Sequence, residues 1–157
     1  DLPSEDILLV PFVNAAFWMI PIHVLQKVGG FCPLFYHYGE DKDFVNRLHY
    51  HQYQVGYSPR VFGNHDREYR PLTHEGFLRT ESVYHLSEYV NINHPWLKAF
   101  GYGVLAVMKK ALTSLISGKF QLSKDYLRMG FQLLSRSTEI QSYRKINRLS
   151  QPHYIQK

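Results

Sequence analysis

The sequence predicts an α/β arrangement up to about residue 70, followed by an α-helical tail. Three observations carry this expectation. Between residues 7 and 66, apolar runs of strand character alternate with segments of helical period. Glycine and proline punctuate each change of period. From residue 96 onward, apolar residues recur at helical spacing with basic side chains between them.

The elements follow in order. ILLVPFVNAAFWMIP (7–21) is apolar but interrupted by Pro11 and ended by Pro21. Proline argues against one helix there, so residues 12–20 are expected to form a buried strand. IHVLQKVGGF follows as a short helix through Lys27, stopped by Gly29-Gly30. CPLFYHYG is an aromatic loop. From Glu40 to about His51, Phe44, Val45 and Leu48 share a helical face. YQVGYSP (53–59) reads as a short strand, and VFGNHD (61–66) as a second extended piece. Residues 1–70 then form one region and 71–95 an irregular linker, with a short helix around 80–89. Residues 96–157 form a basic helical tail. Its first helix spans 96–117, with Pro95 at the first turn and Gly118 at the stop. A second runs from about Leu122 to Arg136, with Ser123 as N-cap.

The bulk numbers restrict function only loosely. A chain of 157 residues, 45% hydrophobic, can bury a real core. Cys32 is the only cysteine and forms no intrachain disulfide, which suits a reducing compartment. No basic-then-apolar signal segment opens the chain. The net charge of +5 suits an anionic partner, and most of the basic excess lies beyond Lys98. Those basic residues are scattered and no RNA- or DNA-binding motif appears, so nucleic acid is not an expected partner. A membrane span needs about 20 consecutive apolar residues, and Lys98, Lys109 and Lys110 interrupt the candidate run. Two readings of 96–136 stand: helices packed on their own domain, or basic amphipathic helices lying on an anionic membrane surface. Nine histidines invite a metal reading, but none has the spacing of a structural zinc site.

Three acids crowd YGEDKDF (38–44). Acids in a first helical turn stabilise the macrodipole by about 0.3–1 kcal/mol each, with no chemistry required. Asp41 lies three positions before Phe44 and four before Val45, and is therefore expected on their buried face. Glu40 is expected at the cap. Asp43 pairs naturally with Arg47 at i+4. Asp41-Lys42-Asp43 also matches D-x-D, a metal–diphosphate pattern, but on a helix the two carboxylates diverge.

VGGF (28–31), YGEDKDFVNRL (38–48), YQVGYSP (53–59) and His65 in VFGNH form an ordered series. It resembles the C-terminal half of a GT-A glycosyltransferase of family 2, including rhamnosyltransferase-like enzymes of bacterial polysaccharide synthesis. The resemblance covers residues 11–70. It implies the C-terminal portion of a GT-A α/β fold and transfer of a hexosyl group from a nucleotide sugar to a glycan or lipid-linked acceptor. Asp41 would be the general base of an inverting displacement, tuned by Glu40. Gly29 and Gly30 would let backbone approach the donor. Trp18 and Tyr38 are candidates to stack on a sugar, Arg70 to contact phosphate, and His65 to ligate Mg²⁺ or Mn²⁺. The family's nucleotide-binding half does not precede residue 11. The chain is therefore expected to be a piece of a longer enzyme, inactive alone, cytoplasmic, and docked through its tail on the inner membrane face. The rival expectation is a non-catalytic interaction or membrane-assembly module.

Overall fold

The structure, a computed structural model, describes residues 7–36, 38–60, 63, 71 and 73–155. The chain divides into two compact units, one of residues 1–71 with 148–157 and one of residues 72–147.

In the first unit, β1 (Leu8–Val10) pairs antiparallel with β2 (Val55–Tyr57), in the register Leu9 to Gly56. Between them lie α1 (Ile22–Val28) and α2 (Glu40–Tyr50). Val24 and Val28 of α1 and Phe44 of α2 form the core, closed by Trp18, Ile20, Leu25, Leu48 and Tyr53. Gly29, at φ +83°, ends α1. Tyr38 and Gly39, at φ +69° and +89°, turn the chain into α2. The left-handed conformation is free for glycine but costs a tyrosine roughly 1–2 kcal/mol.

The second unit is wholly helical among its described residues. It contains α3 (His74–Val90), α4 (Trp96–Phe100), a π turn (Gly101–Leu105), α5 (Ala106–Ile116), α6 (Phe120–Ser135) and α7 (Ser137–Asn147). Thr73 caps α3 by accepting from the Gly76 amide. The π turn has two visible causes. His85 Nδ1 donates to the Tyr102 carbonyl at 2.8 Å, drawing it out of the regular ladder. A Cβ at Gly103 would lie 2.4 Å from the Tyr89 Cβ, so only glycine lets the two helices touch there. Gly118, at φ +72°, separates α5 from α6. Ser123 Oγ donates to the Ala111 carbonyl at 2.8 Å, and Gly130 packs on Met108 and Val107, so α5 and α6 form an antiparallel hairpin.

Each unit buries one arginine against the open end of a helix. Arg144 of α7 donates to the carbonyls of Tyr89, Asn91 and His94 at the end of α3. Arg47 of α2 does the same at the end of α1, donating to Val28 and Gly30. The last carbonyls of a helix have no intrahelical donor, and a buried guanidinium supplies several at once.

The α/β expectation is overturned. Helix accounts for 60% of the described residues and strand for 4%, all in the one two-stranded sheet. These proportions do not fit a portion of a GT-A fold. Residues 12–20 are not a buried strand. Pro11 has no amide to pair, and the chain turns at Ala15–Ala16, with the Ala16 amide and Trp18 Nε1 both donating to the Asn14 carbonyl. Phe17 and Met19 are exposed. Within the expected linker, residues 74–90 form a continuous helix. Ser123 is not an N-cap but lies inside α6, which begins at Phe120. Within the expected helical tail, the polar segment from Ser137, for which no separate helix was delimited, is α7. The extended piece expected at 61–66 lies, apart from Gly63, outside the described residues.

Candidate functional site

The acidic run opens α2, and the helix treats its three acids differently. Asp43 is 2% exposed and accepts from Arg47 Nε at 2.8 Å. Arg47 is itself fully buried. Its two remaining nitrogens donate to the Val28 and Gly30 carbonyls at 2.8 and 2.7 Å. Its guanidinium carbon lies 5.1 Å from the Phe44 ring centroid and 5.8 Å from that of Tyr154. One side chain thus locks the acidic helix to the glycine turn. Burial holds the Asp43 carboxyl above its ordinary range, against the opposing pull of Arg47.

Asp41 does not face the interior as its spacing implied. It is half-buried, and its Oδ1 accepts from the Lys42 amide at 2.7 Å. At about 100° per residue it stands roughly 60° from Phe44 and 40° from Val45 around the helix, yet unlike them it is not buried. Glu40 is not the cap; Gly39 occupies that position with no side-chain bond. The Glu40 Oε2 is enclosed and has no hydrogen-bond partner among the described residues. Asp41 and Asp43 diverge, so their D-x-D spacing is not a shared metal cradle. Among the described residues, no three His, Cys, Asp or Glu side chains converge as metal ligands.

Gly29 and Gly30 do mark a close backbone approach, and the partner is the chain itself. The Gly30 amide donates to the His153 carbonyl at 2.7 Å. A Cβ on Gly29 would stand 2.5 Å from that oxygen, and one on Gly30 2.9 Å from the Tyr154 carbonyl. Cys32 lies beneath this strap. Burial, and secondarily the charge of Asp43, pushes its thiol up to about 11, so it is not a ready nucleophile. Trp18 packs 5.8 Å from the Phe44 ring centroid and 6.3 Å from that of Phe31, as a half-buried wall of the core. Tyr38 exposes its side chain three residues before Asp41. His65 and Arg70 lie outside the described residues.

Sequence reasoning missed the double use of Arg47 and the strap at 153–154. The i+4 spacing pointed to the Asp43–Arg47 pair, but nothing local signals that an arginine also reaches 17 and 19 residues back. The glycine pair signalled a close approach and could not say by what.

No protein-family model, curated protein or solved structure matches the chain.

Proposed function

We propose that residues 28–60 belong to the acceptor side of a glycosyltransferase using a nucleotide-sugar donor, with Asp41 as its general base. The reading rests on the motif series and its local geometry, not on the overall fold. The observation that carries it is the division of labour in YGEDKDF. Asp43 pairs with Arg47 and one oxygen of Glu40 is enclosed, whereas Asp41 is a half-exposed carboxylate at the helix start. Asp41 takes the proton of an acceptor hydroxyl as that oxygen attacks the anomeric carbon. The bond from that carbon to the diphosphate breaks, and its electron pair leaves with the nucleotide. Attack opposite the leaving group inverts the configuration. The acceptor is a glycan or a lipid-linked sugar.

One observation favours the non-catalytic alternative: the chain's own residues 153–154 occupy the open side of the Gly29-Gly30 turn. Labelled hexose transfer by the intact protein, assayed with a panel of nucleotide hexoses, separates the two. Asp41→Asn should lower turnover about 10²–10⁴-fold with an unchanged melting temperature, the usual range for losing a general base. Unchanged turnover in that variant removes Asp41 from the role.

A further inference from the structure

The α5–α6 hairpin carries an apolar surface that nothing in its own unit covers. Leu105 at the end of the π turn and Leu112 and Ile116 on α5 are 56, 57 and 77% exposed; on α6, Phe120, Leu127 and Phe131 are 68, 38 and 61% exposed. The two rows lie on one side. Glu81 of α3 meets Lys110 of α5 and Tyr126 of α6, which marks the inner side of both helices. At about 100° per residue, the α5 row stands roughly 200–240° from Lys110 and the α6 row roughly 100–140° from Tyr126. Both rows therefore point away from α3, on the outer side of the hairpin. Exposed apolar surface this continuous marks an interaction site in a water-soluble unit.

The charge around it selects the partner. From Tyr89 to Lys124 the sequence has no acid and five lysines. Lys110 is engaged by Glu81, while Lys109, Lys119 and Lys124 are exposed along the margins and tip of the hairpin. The next acid, Asp125, is buried and turned toward His74 at 3.0 Å. A second copy seated on this face would bring lysine against lysine. A bilayer with anionic headgroups instead accepts the apolar rows at its acyl boundary and the ammonium groups at its surface, the lysine stems lying along the apolar rim.

We propose that this face of the hairpin docks on an anionic lipid bilayer, lying in the interface rather than crossing it. The inference stands apart from the transferase reading, since it uses none of residues 28–60. Flotation of the chain with vesicles tests it, using phosphatidylcholine alone and phosphatidylcholine mixed with phosphatidylglycerol, at low and high salt. Binding is expected to the mixed vesicles and to weaken with salt. Lys109→Gln with Lys124→Gln should lower partitioning about thirtyfold, at about fivefold per lysine near an anionic surface. Leu112→Ser with Phe131→Ser should abolish it. All four side chains are exposed, so both double variants should melt with the wild type. Absent binding, equal binding to neutral vesicles, or indifference to either double variant overturns the proposal. So does a concentration-dependent dimer in analytical ultracentrifugation that Leu112→Glu dissolves, because the face would then be a self-interface.

Discussion

Replacing Arg47 with methionine should cost the first unit at least about 3 kcal/mol of stability. Methionine keeps the length and apolar stem but removes all three donors. Asp43 would then be a buried carboxylate without a partner, and breaking a buried pair from one side costs about 3–5 kcal/mol. The Val28 and Gly30 carbonyls would also lose their donors, at about 1–3 kcal/mol each if they stay enclosed. These terms share one side chain and do not simply add. A loss of at least about 3 kcal/mol is expected, a large part of the 5–15 kcal/mol that holds a typical domain. Urea unfolding followed by Trp18 fluorescence reads it, since Trp18 stands in this unit's core. The second tryptophan, Trp96, lies in the other unit and is replaced by phenylalanine in both proteins compared. Adding Asp43→Leu to Arg47→Met should restore the share due to the stranded charge, but not that of the two carbonyls. The double variant should therefore fall between wild type and the single one. A single variant within about 1 kcal/mol of wild type would refute the account of Arg47 as the clamp, given the 3 kcal/mol floor.

Two further outcomes are expected. Gly103→Ala should destabilise the helical unit by about 1–3 kcal/mol through overpacking against Tyr89. Gly101→Ala, two residues away with nothing within 4 Å of the added carbon, should stabilise it by up to about 1 kcal/mol; thermal melts of the pair check both signs. The same unit should lose stability on acidification in two stages. Burial holds the His85 imidazole below its ordinary 6.5, so the unfolded chain takes that proton first and stability declines as pH drops below 6.5. Burial pushes Glu81 up, but bonds from Lys110 and Tyr126 outweigh it and hold its carboxyl below 4.5, so its contribution is lost as pH falls through that lowered value. Urea midpoints taken across this range should show His85→Gln abolishing the upper stage and leaving the lower.

Much of the local order was readable from residues. The apolar spacing of Phe44, Val45 and Leu48 located α2, and Gly29 and Gly118 marked true stops because a left-handed backbone is cheap only there. The fold class was not readable. An apolar run such as 7–21 looks like a strand whether or not a partner pairs with it, and pairing is a property of distant chain. The phase of the acids failed for a similar reason. Spacing gives an angle around a helix but not which side chains stand against it, so Asp41, expected inside, is half-buried, while Asp43 is enclosed with Arg47. The bounds of the helix after Ser137 were not readable because the segment is polar. Its helix is held by Ile140, fully buried, and by Arg144, whose reach to the end of α3 leaves no periodic trace.

The strap over the glycine turn has a consequence for the order in which the protein is made. The first unit is discontinuous: its early part ends at residue 71 and its closing strap lies beyond residue 147. The 76 residues between them, from 72 through 147, take about 4 to 15 s to synthesise at 5–20 residues per second. During that interval the Gly30 amide has no His153 carbonyl to meet. The helical unit, contiguous in sequence, can complete itself on the ribosome while its neighbour waits with one seam open. The part of the chain that begins first is thus the part that finishes last.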